Sequence, residues 1–252
     1  MKRMCALILL AGLLLSVASC HVEPTFEAST PTTTSIEPLS KTNSSYAYDY
    51  PDIAPAVAMI PADANLIYVS RDYALPADYA PVLQVCVQTY PEKIEMDISA
   101  ASQFKIMYDA ALAGGVEIIP FSGYRSVSRQ KSIFDQEISS YVSKGYSRAE
   151  AVNLAAMLIL PPGCSEHNSG LAMDITRPGV WDTREDFDTT KEFAWLQTNA
   201  HRYGFILRYP SDKQSITDME YEPWHWRFVG IEPATAMKSR GQCLEEYLGI
   251  TG

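Results

Sequence analysis

Histidine is scarce in this chain, with four in 252 residues at positions 21, 167, 201 and 225. Any chemistry that needs imidazole therefore has few places to reside. Cysteine is nearly as scarce, at five: Cys5, Cys20, Cys86, Cys164 and Cys243. Clustered basic charge is missing altogether. Lys and Arg number 20 against 30 Asp and Glu, for a formal charge of −10, and no Lys/Arg patch offsets it. Such a surface repels nucleic acid, which is excluded as a partner. Apolar runs are short as well. The stretch from Leu7 to Leu15 is nearly all apolar, but it is too short to span a bilayer comfortably. No internal repeat is visible.

The N-terminal residues have the form of an export signal. Lys2 and Arg3 precede the apolar stretch, and Val17-Ala18-Ser19 places small residues directly before Cys20. That arrangement resembles the bacterial lipobox, in which the cysteine is acylated and becomes the new N-terminus. Residues 1–20 are therefore expected to be a lipoprotein signal peptide. Lipidation of Cys20 would anchor the chain to the outer face of the cytoplasmic membrane. The next stretch is rich in Ser, Thr and Pro and poor in large apolar residues, so 21–62 reads as a tether. As a flexible coil it would reach about 30–35 Å. With Cys5 lost and Cys20 lipidated, three thiols remain in an exported body, enough for one disulfide. The expected pair is Cys164 with Cys243.

Residues 63–252 form the expected folded body. Hydrophobic residues make up 47% and charged ones 20% of the sequence, as in globular proteins. Leu66 to Val69 suggests a short strand. Phe104, Met107, Tyr108 and Ala111 recur at helical spacing ahead of Gly114-Gly115. Val116 to Phe121 suggests a buried strand, and helices are expected over Val127–Val142 and from Ser147, where Ser147 and Glu150 have capping-box spacing. Strands are expected at Gly170–Ile175, Phe205–Arg208 and Trp224–Val229, with a helix from Thr189 to Tyr203 and short helices at the end. Helices and strands mix without βαβ alternation, which points to α+β with a small antiparallel sheet in a single domain.

Two stretches place histidine beside carboxylates. In Ser165-Glu166-His167-Asn168-Ser169-Gly170-Leu171-Ala172-Met173-Asp174, a loop histidine precedes an aspartate near a strand. In Glu222-Pro223-Trp224-His225-Trp226, the proline bars an ordinary helix interior. As a strand, it points His225 and Arg227 one way and Trp224, Trp226 and Phe228 the other. Imidazole and carboxylate ligands suit zinc. His167, Asp174 and His225 would supply three ligands and leave a fourth position for water, the open count of a catalytic site. Glu222 is then the candidate base. Cys164 beside this motif is better read as a buried or disulfide-bonded sulfur than as a nucleophile, and His201 as structural. Ser128-Arg129-Gln130-Lys131 has the Ser-x-x-Lys form of penicillin-binding serine enzymes, but Lys-Thr-Gly is absent from the chain.

Those two stretches, with Ser122-Gly123-Tyr124-Arg125-Ser126 and Tyr203-Gly204-Phe205-Ile206-Leu207-Arg208-Tyr209-Pro210, resemble VanY-type D-alanyl-D-alanine carboxypeptidases. These are zinc peptidases that share a fold with the Hedgehog signalling domain. The similarity runs from about Leu66 to Leu248. It implies zinc on His167, Asp174 and His225, Glu222 as catalytic base, and Arg125 as the group that binds substrate and stabilises the developing oxyanion. Ser165 and Gln130 match positions that line the substrate site. Asp218 departs from the pattern, which leads to the expectation of a glycine there. The implied reaction is removal of terminal D-alanine from peptidoglycan stem peptides by a monomer. L,D-carboxypeptidase action on tetrapeptides, D,D-dipeptidase action and a non-catalytic wall-binding module are the alternatives.

Overall fold

Asp97 accepts a hydrogen bond from the Ser99 N–H at 3.0 Å, and from that cap helix α1 (Ile98–Ala113) runs with Phe104, Met107 and Ala111 wholly buried. The helical spacing seen in the sequence is thus its core-facing stripe. The computed structural model describes residues 50, 53, 55–88, 93–183 and 185–250. The expected signal peptide, Cys20 and most of the expected tether lie outside the described residues. No helix among the described residues is long and apolar enough to cross a membrane.

Two short parallel strands, β1 (Ala56–Val57) and β2 (Tyr73–Ala74), come first, followed by the antiparallel pair β3 (Leu83–Gln88) and β4 (Lys93–Asp97). Strand β5 (Ile119–Ser122) leads into the helical pair α2 (Val127–Ser143) and α3 (Arg148–Leu158), the latter opened by the Ser147/Glu150 capping box. Strand β6 (Ala172–Thr176), helix α4 (Lys191–Asn199), strand β7 (Phe205–Leu207), the short helix α5 (Gln214–Thr217) and strand β8 (His225–Phe228) follow, and α6 (Ile231–Arg240) and α7 (Leu244–Leu248) close the chain. The central sheet has the order β5-β6-β8-β7, with every neighbouring pair antiparallel. The α+β expectation holds.

The main core lies between α1 and the sheet, where Met173, Phe205, Trp226 and Phe228 meet Phe104 and Met107. A second cluster joins Phe134 and Ile138 of α2 to Ala151 and Ala155 of α3. A third places Ile206 and Val229 under Met237 and Leu244.

Three sequence expectations are corrected. Leu66 to Val69 is not a strand. Asp63 caps a 3-10 turn over Ala64–Leu66, and the Asn65 and Ile67 carbonyls accept hydrogen bonds from the Arg227 guanidinium rather than from a neighbouring strand. The folded body also begins before residue 63. Tyr50 is 2% exposed, packs edge-on to Phe134 at 4.9 Å and donates to Asp135 at 2.7 Å. Apolar contact there outweighs the polar composition of the stretch. Finally, Cys164 and Cys243 do not pair: Cys86, Cys164 and Cys243 are three separate buried thiols. The β3–β4 pair was not anticipated.

Asp218, where the resemblance led to the expectation of glycine, has φ 52° and is the sole non-glycine with positive φ among the described residues. The backbone requirement is kept and aspartate, which tolerates the left-handed region better than most, meets it. Gly170 carries a stricter requirement, because at φ +77° an added Cβ would also lie 2.9 Å from the Asp97 nitrogen. Gly170→Ala should cost about 2–4 kcal/mol, strain plus clash. Gly115→Ala, at φ +76° with nothing within 4 Å of the new Cβ, should cost about 1–2 kcal/mol. Denaturant midpoints of the two variants check the ranking.

Candidate metal centre and active site

The strand register assembles the site. Asp174 on β6 faces His225 on β8 across one ladder and Ser122 on β5 across the other. His167 arrives from a separate element, a 3-10 turn over Glu166–Ser169 that Gly170 ends in the left-handed conformation. The three ligand atoms lie within 4.8 Å of one another, and the residues are only 4–6% exposed.

Hydrogen bonds on the far side of each imidazole determine which nitrogen is free. His167 Nδ1 lies 2.8 Å from the Gly123 carbonyl, which can only accept, so Nδ1 carries the hydrogen. The lone pair on Nε2 then faces Asp174 Oδ2 at 3.3 Å. Gly123 can present its carbonyl there because β5 leaves the sheet tight against β4, where Tyr124 N–H donates to the Glu95 carbonyl at 2.7 Å. An added Cβ on Gly123 would run into that same carbonyl. His225 is arranged the other way round. Its Nε2 lies 3.2 Å from Glu166 Oε2, and its Nδ1 lies 3.1 Å from Asp174 Oδ1 and 3.7 Å from Glu222 Oε2. The two rings are perpendicular with centroids 5.0 Å apart. Two imidazoles, each oriented from behind, and a carboxylate match the donor set and the outer-shell pattern of a zinc site. Every sequence-selected ligand is therefore in the cluster.

The electrostatics favour a cation. Burial would raise the Asp174 pKa, but the adjacent His167 and His225 hold it well below the usual carboxylate range. Burial alone would depress His225, yet its hydrogen bonds to Asp174 and Glu166 lift it to about 10. Without an ion, these carboxylates thus favour the protonated form of His225. Glu222, a quarter exposed, is pushed up to about 7 mainly by burial, against the pull of His225.

Arg125 stands just past β5. It donates to Gln130 Oε1 at 2.9 Å and to Ser122 Oγ at 3.3 Å. Its main chain is tied to the His167 turn, its N–H donating to the His167 carbonyl at 3.0 Å and its carbonyl accepting from Asn168 at 2.7 Å. Asp174 and Glu222 both act on its charge. Gln130 is 1% exposed and its other end donates to the Leu160 carbonyl at 2.6 Å. With both ends engaged, its amide orients the Arg125 guanidinium. Ser165 is buried at the start of the His167 turn, and its carbonyl accepts from the Asn168 N–H. Burial lifts the Cys164 thiol to about 12, which leaves no thiolate for nucleophilic attack. His201 sits in the 3-10 turn Ala200–Tyr203, outside the metal cluster.

Sequence reasoning gave no role to Glu166, Arg208, Arg227 or Glu245. All four are at most 1% exposed and joined by ion pairs. The available signal was Arg227 within the otherwise apolar run Trp226-Arg227-Phe228-Val229.

Residues 93–231 match the family model described as VanY, D-alanyl-D-alanine carboxypeptidase. A D-alanyl-D-alanine carboxypeptidase of Enterococcus faecalis (strain ATCC 700802 / V583) is 41% identical over 184 residues, covering 73% of this chain and 65% of the relative. The chain thus spans just under two thirds of that relative's length. Among solved structures, a mutant of the vancomycin resistance D,D-pentapeptidase VanY in complex with Zn(II) is 41% identical with a TM-score of 0.60, over 73% of this chain and 98% of its own. The LdcB LD-carboxypeptidase is 38% identical with a TM-score of 0.69, over 79% of this chain and 91% of its own.

A protonated His225 must lose its proton before Nδ1 can bind a metal. Calorimetric titration of the metal-free protein with zinc at pH 7.5, in buffers of different ionisation enthalpy, should show release of at least one proton per ion, from His225, with more from bound water and Glu222. Affinity should weaken as pH falls. Zero proton release would show that His225 is already neutral.

Proposed function

Because the chain belongs to the VanY family of D-alanyl-D-alanine carboxypeptidases, we propose that it is a zinc-dependent D,D-carboxypeptidase that removes the terminal D-alanine from peptidoglycan stem peptides. One observation carries the reading. Glu222 stands 3.7 Å from His225 Nδ1, on the same side of that ring as Asp174, so a base borders the metal position without being needed as a ligand.

His167 Nε2, Asp174 and His225 Nδ1 would hold the zinc. When bound, the ion supplies Lewis acidity, polarising the scissile carbonyl and acidifying water towards a pKa of about 7. The chain's own residues do the rest. Glu222 takes the proton of the attacking water and delivers it to the leaving amine. Its raised pKa suits both halves of that task, since a base and an acid are used in turn. Arg125, permanently charged and fork-shaped, holds the peptide or the developing oxyanion. Gln130 and Ser122 fix the direction of that fork.

The same geometry would serve an L,D-carboxypeptidase acting on stem tetrapeptides, and the likeness to LdcB favours keeping that second reading. A non-catalytic wall-binding module is disfavoured by Glu222 and Arg125 both being in place beside the cluster. The leader-like residues 1–20 and Cys20 support a lipid anchor on the outer face of the cytoplasmic membrane, where a monomer on a tether would reach newly made wall.

Mass spectrometry of stem peptides incubated with zinc-loaded protein tests the activity. A pentapeptide ending in D-Ala–D-Ala should lose one alanine, and Glu222→Ala should slow this by about 10²–10⁴-fold while retaining zinc. Loss from the tetrapeptide alone would move the assignment to L,D-carboxypeptidase, and loss from neither would overturn the catalytic reading. The base form of Glu222 is lost as pH falls, so kcat/KM should drop on the acid side. The midpoint should lie between 4.5 and about 7, because burial raises the pKa and a bound dication lowers it.

A further inference from the structure

We infer that the buried quartet of Glu166, Arg208, Arg227 and Glu245 positions His225 for the metal, and that the C-terminal helix α7 thereby helps set metal affinity. The inference rests on the zinc site proposed above.

The contacts are directional. Glu166 Oε1 accepts from Arg208 Nε at 2.7 Å and from an Arg227 terminal nitrogen at 2.8 Å. Its other oxygen is left facing His225 Nε2 at 3.2 Å. Arg208 turns its remaining two nitrogens to Glu245, at 3.0 and 2.7 Å, as a two-pronged pair. Arg227 spends its other donors on the carbonyls of Asn65, Ile67 and Phe228. Two cations and two anions balance, and all four side chains are at most 1% exposed.

Two guanidinium groups on Glu166 keep it ionised, and an ionised carboxylate only accepts hydrogen bonds. His225 Nε2 must therefore carry a hydrogen, so Nδ1, beside Asp174, is the nitrogen that gives up its proton and offers a lone pair to the ion. Glu166 thus acts on the metal through His225 and touches no substrate. Its supports come from both ends of the folded chain. Asn65 and Ile67 precede the family-matched segment 93–231 and Glu245 follows it. A purely structural ion network would have no reason to end on the back of a metal ligand. If structural support were its only role, its loss would lower stability and leave zinc affinity alone in whatever protein folds.

The test uses the full chain and reads zinc dissociation constants by competition with a chromophoric chelator, for wild type, Glu166→Gln and Glu245→Gln. Ile138→Val, in the separate α2–α3 cluster, controls for general destabilisation. Glu166→Gln should weaken zinc binding by about 10–100-fold. Glu245→Gln should weaken it by a smaller factor that still exceeds twofold, and Ile138→Val should leave it unchanged. In zinc-loaded wild type, the His225 Nε2 proton should give a downfield NMR resonance typical of a carboxylate-bonded imidazole, and Glu166→Gln should move it. Folded Glu166→Gln with wild-type affinity and an unmoved resonance would overturn the inference. If Glu166→Gln fails to fold, Glu245→Gln decides it by the same affinity criterion. A wild type that takes up no zinc would contradict the zinc reading itself, and this inference with it.

Discussion

Asp174 and His225 face each other across the β6–β8 ladder, and the metal position and the setting of Glu222 beside it depend on that pairing. Side chains alternate along a strand, so a slip of one residue would turn His225 into the core and bring Trp226 to the ion. The register is held from the other face. Trp226 and Phe228 pack with Phe205 and Phe193 in the main core, which leaves His225 and Arg227 on the side of Glu166. Hydrophobic burial on one side of β8 therefore fixes metal chemistry on the other.

Carboxylates gathered in a buried space need compensation, and the site supplies it in two zones. Behind the rings, Arg208 and Arg227 neutralise Glu166 and Glu245. In front, Asp174 and Glu222 face the two imidazoles and the nearby Arg125. The front zone is left short of positive charge until a proton or a dication arrives. Breaking such a set by removing one partner is costly, because the remaining charge stays buried. That asymmetry makes the front zone a cation site and the rear zone its fixed support. Burial, reinforced by the charges of Asp174 and Glu166, accounts for Glu222 holding its proton more firmly than a free carboxyl.

Much of this was legible from the residues. Four histidines, of which two stand beside carboxylates, narrowed the metal site to His167, Asp174 and His225, and Pro223 correctly forbade a helix around the last. The helices α1, α2 and α3 showed themselves through spacing and caps, which are local properties. What stayed hidden depends on distance along the chain. Leu66 to Val69 has the composition of a strand, but its Ile67 carbonyl is claimed by Arg227, 160 residues away. Tyr50 joins the core only because α2 offers Phe134 and Asp135. The role of Gln130 in holding Arg125 depends on the Leu160 carbonyl, two residues past α3. Charge inside an apolar strand, as at Arg227, was the readable sign that a buried partner had to exist.

The central claim is that one ion sits among His167 Nε2, Asp174 and His225 Nδ1, with Glu222 beside it as base. A crystal structure of the zinc-loaded protein, with anomalous data collected at the zinc edge, tests this most directly. The account predicts a single peak about 2.0–2.2 Å from those three ligand atoms. It also predicts Glu222 outside bonding distance and His225 Nε2 still on Glu166. A peak bound by Glu222 or by His225 Nε2, or no peak in this cluster, would contradict it.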